Sequence, residues 1–334
     1  MASPVHVGIW GLGYAGRGMF IREIQEFPGM FQITAGCDTV EENLAAAGAQ
    51  VPGIKRYSNA ADLLRDPEVE LVAIATRSVD HVSHALMALA AGKTVFVEKP
   101  IAVDAIGERE LAGAVEKYPG RVYFRHNRRF EPQFQCVQKI CRSGVLGSIY
   151  EIKLHRHSFL RYTNWQNTVA NGGGHVNNWG PHLIDHALIL LESPVVNLWS
   201  DLQQVLCTGD AEDHARILLT GENGRVVDVE ISCGVALAQP EYVIFGSEGS
   251  LTCSGIHVTL KHLAPDQGTS PPFAWVERSF PVELEKVDHP KHIWKHLHAA
   301  IREGRDFPIT PTHALEVVRI CNAVKAGTRF ELVR

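Results

Sequence analysis

The chain lacks a dominant charge of either sign. Its 334 residues carry 32 Lys and Arg against 37 Asp and Glu, a formal net charge of −5. A protein that holds nucleic acid or lies on an anionic membrane presents a concentrated basic face, so neither partner is expected. Nor is there an apolar run near the ~20 residues that a membrane-crossing helix needs. Cysteine is sparse and odd in number: Cys37, Cys136, Cys141, Cys207, Cys233, Cys253 and Cys321 are scattered. Their spacing suits neither a zinc site nor a disulfide framework, so the expectation is no metal, free thiols and a reducing cytoplasm. The start, Met1–Ala2–Ser3–Pro4, runs straight into an apolar strand, so no signal peptide is expected. No internal repeat and no disordered tail are expected either.

What is present begins at Val5. The apolar stretch Val5–Trp10 ends in Gly11-Leu12-Gly13-Tyr14-Ala15-Gly16, and a helix-compatible stretch follows from Arg17. In a doubly wound sheet this order places a pyrophosphate at a helix N-terminus. Gly11 makes the tight turn, Gly13 lets the backbone approach the phosphates, and Gly16 allows close helix packing. A second strand, Phe31–Cys37, ends at Asp38, placed to accept both hydroxyls of an adenosine ribose and to repel a 2′-phosphate. With Glu41 and Glu42 as the next charges, the cofactor expected is NAD rather than NADP. The plainer alternative for Asp38 is a cap on the helix that follows.

Strand and helix alternate for about 125 residues. Leu71–Ala75 is continuously apolar, as in a parallel strand covered on both faces; Thr94–Val97 and Arg121–Phe124 follow, with helices at Val82–Ala91 and Ala102–Glu116 between them. A parallel Rossmann sheet over 1–125 accounts for this. From there the pattern changes to a helix at Pro132–Ser143, an alternating strand at Ile149–His157, a glycine-rich loop and helix at Gly172–Leu191, then short strands broken by tight turns, a surface loop at Ala264–Pro272, and two closing helices. The expected architecture is α/β: a Rossmann domain, 1–125, and an α+β domain, 126–334, with an open, mainly antiparallel sheet for substrate binding and oligomerisation (a dimer or tetramer).

Two segments carry chemistry. Lys99 stands at the carboxyl end of a parallel strand, the edge where such sheets hold ligands, and Pro100 restricts its backbone. It can hydrogen-bond a substrate hydroxyl; the plainer role is a surface pair with Glu98. In Gly172–His186 three glycines leave space for a sugar or nicotinamide, and Pro181 suits a first helical turn. On one helix, Asn178, His182, Asp185 and His186 would share a face. His182 is the candidate base; Asn178 is a substrate ligand or an N-cap, and Asp185 and His186 orient the ring or serve packing. His175, Trp165 in the loop Tyr162–Asn167, and Arg128 in Asn127–Pro132 are candidates for the substrate wall. Histidines at 155, 157, 175, 182 and 186 invite a metal, but Asp185 is the one carboxylate among them, and no metal is expected.

The glycine motif, the strand end at Thr76 with His81 five residues on, the Val95–Pro100 segment, Asn127–Pro132 and Gly172–His186 together resemble the Gfo/Idh/MocA oxidoreductases, such as glucose–fructose oxidoreductase and inositol dehydrogenase. The resemblance spans nearly the whole chain. It implies a Rossmann domain followed by an open-faced α/β domain whose sheet mediates oligomers. It sets Thr76, His81, Glu98 and Lys99 on the nicotinamide side, and Lys99 and His182 at catalytic positions. Two positions depart from the family pattern: Asn178 stands where a catalytic aspartate is usual, and Arg77 where a smaller residue is frequent. The implied activity is NAD(P)-dependent hydride transfer at a CH–OH group of a sugar, glycoside or cyclitol, giving a keto-sugar. The alternatives are a glycoside hydrolase or lyase working through transient oxidation by NAD, and a non-catalytic NAD-binding sensor.

Overall fold

A computed structural model describes residues 3–265, 271–327 and 331–332. The chain divides into two compact units, Met1–Asn127 with Lys291–Arg319, and Arg128–Pro290 with Ile320–Arg334.

In the first unit six strands, β1 (Val5–Trp10), β2 (Phe31–Cys37), β3 (Lys55–Tyr57), β4 (Leu71–Ile74), β5 (Thr94–Val97) and β6 (Val122–Phe124), form one sheet in the order β3-β2-β1-β4-β5-β6. Every pairing is parallel. The order reverses between β1 and β4, the switch point where such sheets open a crevice at their carboxyl ends. Leu71, Val72, Ala73 and Ile74 are all fully buried, as a strand covered on both faces requires.

The expectation of one domain over 126–334 needs correction, because residues 291–319 group with the N-terminal unit. The reason is packing. The helix Ile293–Glu303 buries Ile293, Trp294 and Leu297. Its Trp294 ring meets Phe20, Phe31 and Phe96 edge-on, with centroids 5.5, 5.4 and 5.0 Å away. Such contacts add about 0.5–1.5 kcal/mol per pair beyond area burial, and they close the apolar core beside β1 and β5.

The second unit is built on nine strands: β7 (Ile149–His157), β8 (Val195–Gln204), β9 (His214–Gly221), β10 (Val226–Ser232), β11 (Tyr242–Gly246), β12 (Gly249–Ser254), β13 (His257–Leu263), β14 (Trp275–Pro281) and β15 (Glu331–Leu332). Their order is β14-β13-β12-β11-β7-β10-β9-β8-β15. Pairing is antiparallel except between β7 and β10 and between β8 and β15. Alternation is clean: Ile152 and Leu154 on β7, Ile217 and Leu219 on β9, and Val229 and Ile231 on β10 are buried. Lys153 and His155, Arg216, and Glu230 take the other face. The helix Gly180–Leu191 covers the apolar face against β7 and β10. The loop expected at Ala264–Pro272 lies outside the described residues over 266–270. Among the described residues no helix is long and apolar enough to cross a membrane.

Candidate functional site

In the first unit the glycine turn is shaped for a phosphate. Gly11 has φ +95°, a left-handed conformation. A Cβ on Gly16 would overlap the Gly11 carbonyl oxygen, whereas a Cβ on Gly13 would meet nothing within 4 Å. Gly16 is therefore required by packing, and Gly13 leaves open space in front of the turn. Leu12, Ala15 and Tyr14, whose ring is 85% exposed, complete the turn. Asp38 is held against it: its carboxylate accepts hydrogen bonds from the Leu12 N–H (2.7 Å), the Val40 N–H (2.9 Å) and the Asn43 amide (3.2 Å). Asp38 is not the cap of the next helix, whose N-cap is Val40 with no side-chain bond. Arg17 is engaged by the Leu12 carbonyl and by Asn43. An open cradle with a fixed carboxylate at the end of β2 fits a dinucleotide with a free ribose diol.

The ends of β4 and β5 are tied together by a histidine. His81 is buried with Nδ1 2.8 Å from the Pro100 carbonyl oxygen and Nε2 3.2 Å from that of Thr76. Burial holds its pKa below the usual histidine value. The Thr76 hydroxyl lies 3.0 Å from His84 Nδ1, and the His84 ring stacks on Trp10 at 3.9 Å. Arg77 is exposed and pairs with Asp80 at 2.8 Å. Glu98 is buried rather than on the surface. Its Oε2 accepts from Arg125 at 2.7 Å, and its Oε1 is enclosed without a partner. Arg125, itself fully buried, also grips Glu23 at 2.7 and 2.9 Å, and Glu23 accepts from the Trp294 indole N–H at 2.7 Å. Lys99, next in the chain, is half-buried.

In the second unit the expected single helix through Asn178 and His186 is broken. His175–Asn178 forms one turn and Gly180–Leu191 a separate helix, with Trp179 (φ −104°, ψ −28°) at the joint. The cause is the Gly180–Pro181 pair, since Pro181 starts a helix and cannot continue one. No side chain caps the second helix at Trp179. The three glycines also have a structural use. Gly174 (φ +95°) lies so close to Glu212 that any Cβ would strike the carboxylate, which accepts from the Val176 N–H at 2.9 Å. The carbonyls of Gly172 and Gly173 accept from Asn177, whose Oδ1 takes the Lys325 ammonium at 3.0 Å.

His182 lines a cavity that also takes in Arg128, Glu131, Arg156, Trp179, Glu241 and Tyr242. The guanidinium carbons of Arg128 and Arg156 lie 4.4 and 3.9 Å from the Trp179 ring centroid. Both guanidinium groups therefore pack against the one indole. Arg128 pairs with Glu131, and burial raises the Glu131 carboxyl above the usual range. Behind them His186 stacks flat on Phe134 at 3.7 Å. Its Nε2 is 3.1 Å from the Arg128 carbonyl oxygen, which requires Nε2–H to donate, and Nδ1 accepts from the Tyr242 hydroxyl at 3.2 Å. That is a neutral ring, and burial lowers its pKa to about 4. Asp185 pairs with Arg129. His186 thus lines the cavity.

Of the sequence candidates in this unit, Arg128 and His182 share the cavity. His175 is buried beside Tyr162, at 5.6 Å ring to ring, with its pKa lowered to about 4 by burial. Trp165 is 45% exposed, and neither residue lines the cavity. Arg156 and Trp179 are cavity residues that motif reading overlooked. The inward parity Ile152, Leu154, Arg156 along β7 carried the signal for the first. Among the described residues one group, Cys207, Asp213 and Cys233, places potential metal-binding atoms within 4.8 Å of one another, with the sulfurs 3.4 Å apart. The Asp213 carboxylate there accepts the N–H groups of Val205, Leu206 and Cys207, which bind a loop.

Comparison with known proteins gives consistent matches. An oxidoreductase family model with an NAD-binding Rossmann fold matches residues 5–126, and the GFO/IDH/MocA C-terminal domain matches 134–252. The uncharacterised oxidoreductase YdgJ of Escherichia coli is 31% identical over 262 residues, 77% of this chain and 73% of that protein. D-apiose dehydrogenase of Paraburkholderia graminis is 28% identical over 311 residues, covering 89% and 81%. The solved structure of the oxidoreductase YvaA of Bacillus subtilis superposes with a TM-score of 0.84 at 20% identity, covering 98% and 96%.

Proposed function

This chain belongs to the Gfo/Idh/MocA oxidoreductase family and carries its NAD-binding Rossmann domain, and on that premise we propose that it oxidises or reduces one CH–OH group of a sugar, glycoside or cyclitol. The observation that carries the reading is His182, fixed on a buried helix and opening onto a cavity lined by polar side chains and an indole. Bound NAD supplies the hydride acceptor, and Asp38 with the Gly11–Gly16 turn holds it. His182 takes the proton of the substrate hydroxyl as general base. Lys99 is the candidate to donate a hydrogen bond to a substrate hydroxyl and to stabilise the charge that develops on it. Asn178 binds a hydroxyl without accepting its proton, so His182 carries the base role that an aspartate often shares. Thr76, His81 and Glu98 fix the edge from which Lys99 projects. D-apiose dehydrogenase, a relative that acts on a sugar, supports the substrate class.

The test combines cofactor inventory with turnover. Dinucleotide released on denaturation is identified, and NADH formation is followed on sugars, cyclitols and glycosides. Steady NADH from one class, with His182→Ala and Lys99→Ala each slowed by about 10²–10⁴ and still binding NAD, supports the reading. Wild-type turnover in both variants overturns it, and glycoside cleavage without net NADH replaces it with redox-assisted cleavage. We also propose that the polar face of the nine-stranded sheet joins copies of the chain as a dimer or tetramer. Light scattering on the eluted protein tests that: a monomeric mass sinks it.

A further inference from the structure

Arg156 is out of keeping with a cavity made for a neutral polyol. It sits at the inward-facing end of β7, stacked on Trp179, with a side chain 39% exposed. Its nearest carboxylate among the described residues, Glu241, is 3.7 Å away, beyond hydrogen-bond length, and the guanidinium donates no hydrogen bond to any of those residues. A stacked guanidinium loses little freedom on binding and presents its N–H edge as a fork that matches a carboxylate. Arg128, against the same indole, spends its charge on Glu131.

We propose that this cavity recognises a polyhydroxy acid, with the ligand carboxylate on the Arg156 guanidinium and a ligand hydroxyl at His182. The two ends are connected through Trp179. The His182 ring centroid lies 5.9 Å from that of Trp179 and Arg156 Cζ 3.9 Å from it, so the two groups are at most about 10 Å apart. A hexuronate spans such a gap with its carboxylate at one end and a ring hydroxyl at the other. Glu131 and Glu241 offset the two arginines, so the cavity has no surplus positive charge, and a monoanion is repelled there less than a phosphate dianion. Burial, then the field of Arg128, lower the Arg156 pKa, which marks a site where an added anion is welcome.

The assignment of the hydroxyl end rests on the reading of His182 given above, whereas the carboxylate end does not, and calorimetry separates them. NAD-loaded full-length protein is titrated with D-glucuronate, D-galacturonate and D-gluconate, with D-glucuronamide and D-glucose as neutral counterparts, and with glucose 6-phosphate. At least one acid should bind about 10- to 100-fold tighter than its neutral counterpart, the range expected for hydrogen bonds to a charged group. The advantage should shrink as salt rises. Arg156→Gln should abolish it and Arg156→Lys keep part of it. Equal binding of acid and neutral counterpart by the native protein, tighter binding of the phosphate, no binding of any acid, or an advantage that survives Arg156→Gln each overturns the proposal. The native-protein comparison needs no variant to fold. An acid that binds through Arg156 without yielding NADH leaves this inference standing and removes the dehydrogenase; NADH from neutral sugars with no acid advantage does the reverse.

Discussion

The two units contain two arginine centres that differ in one respect. Arg125 is fully buried and matched in charge: two carboxylates take its Nη1 and Nη2 donors, and an indole N–H completes one of them. Arg156 is stacked on an aromatic ring and also faces a carboxylate, yet it is part-exposed and its partner stands off at 3.7 Å. A buried charge must be matched inside the protein, because leaving it unmatched costs several kcal/mol. A half-exposed one can be left to water, and water can be exchanged for a ligand. The first centre builds the edge from which Glu98 and Lys99 emerge; the second supplies donors to a cavity.

The largest expected effect breaks the first centre. Arg125→Met leaves the Glu98 and Glu23 carboxylates buried without their cation, and should cost about 3–5 kcal/mol, read as a lower denaturation midpoint at unchanged slope. Adding Glu98→Gln and Glu23→Gln should recover part of that loss, since the uncompensated charges are then gone. Arg156→Gln, by contrast, should cost no more than about 1 kcal/mol. Similar losses in the two single variants would erase the distinction between a closed centre and an open one.

A smaller effect comes from the ring that frames the open centre. His186 is held neutral in the fold with a pKa of about 4, against an ordinary value of 6.5. Between those limits the unfolded chain binds the proton and the folded protein does not, so stability falls as pH drops from about 6.5 toward 4 and is untouched above. His186 contributes up to about 3 kcal/mol to that fall, and His175, lowered to about 4 by burial, adds to it in the same window. His186→Phe keeps the stacking on Phe134 and should flatten the pH slope by roughly half. An unchanged slope would mean that the ring is charged, and that the carbonyl and hydroxyl contacts assigned to it are wrong.

The two centres also differ in how far the sequence discloses them. In the first unit each site residue follows directly from a strand end. Asp38, Thr76 and Glu98 are the residues after or close after β2, β4 and β5, and a continuous apolar run marks where each strand stops. In the second unit helical spacing suggested one helix where there are two. Asn178 and His182 are four apart, but Pro181 starts a new helix between them, and a proline at a first turn looks the same in a sequence whether or not another helix precedes it. The glycines before His175 suggested open space, whereas Gly174 is small because Glu212, 38 residues later, fills the place of its side chain. Arg156 and Trp179 were hidden for a similar reason: which face of β7 is covered depends on a helix that arrives only at Gly180. Likewise the return of 291–319 to the first unit depends on Trp294 finding an aromatic pocket made by residues over 190 positions earlier.

The smallest expected effect concerns a third arginine, which sharpens the same distinction. Arg77 follows β4 at the carboxyl edge, is 67% exposed at its side chain, and pairs with Asp80 three residues on. Exposed pairs of that spacing contribute about 0.3–0.5 kcal/mol, so Arg77→Ala should leave the denaturation midpoint almost unmoved. If the guanidinium instead contributes to holding the anionic cofactor, the variant should bind NAD more weakly than the native protein at low salt, and the gap should close as salt rises. Calorimetry with NAD at two ionic strengths reads this directly. Equal affinity in both proteins would show that exposure and a position at the sheet edge do not by themselves make an arginine a ligand, and that the lack of an internal hydrogen bond, as at Arg156, is the stronger sign.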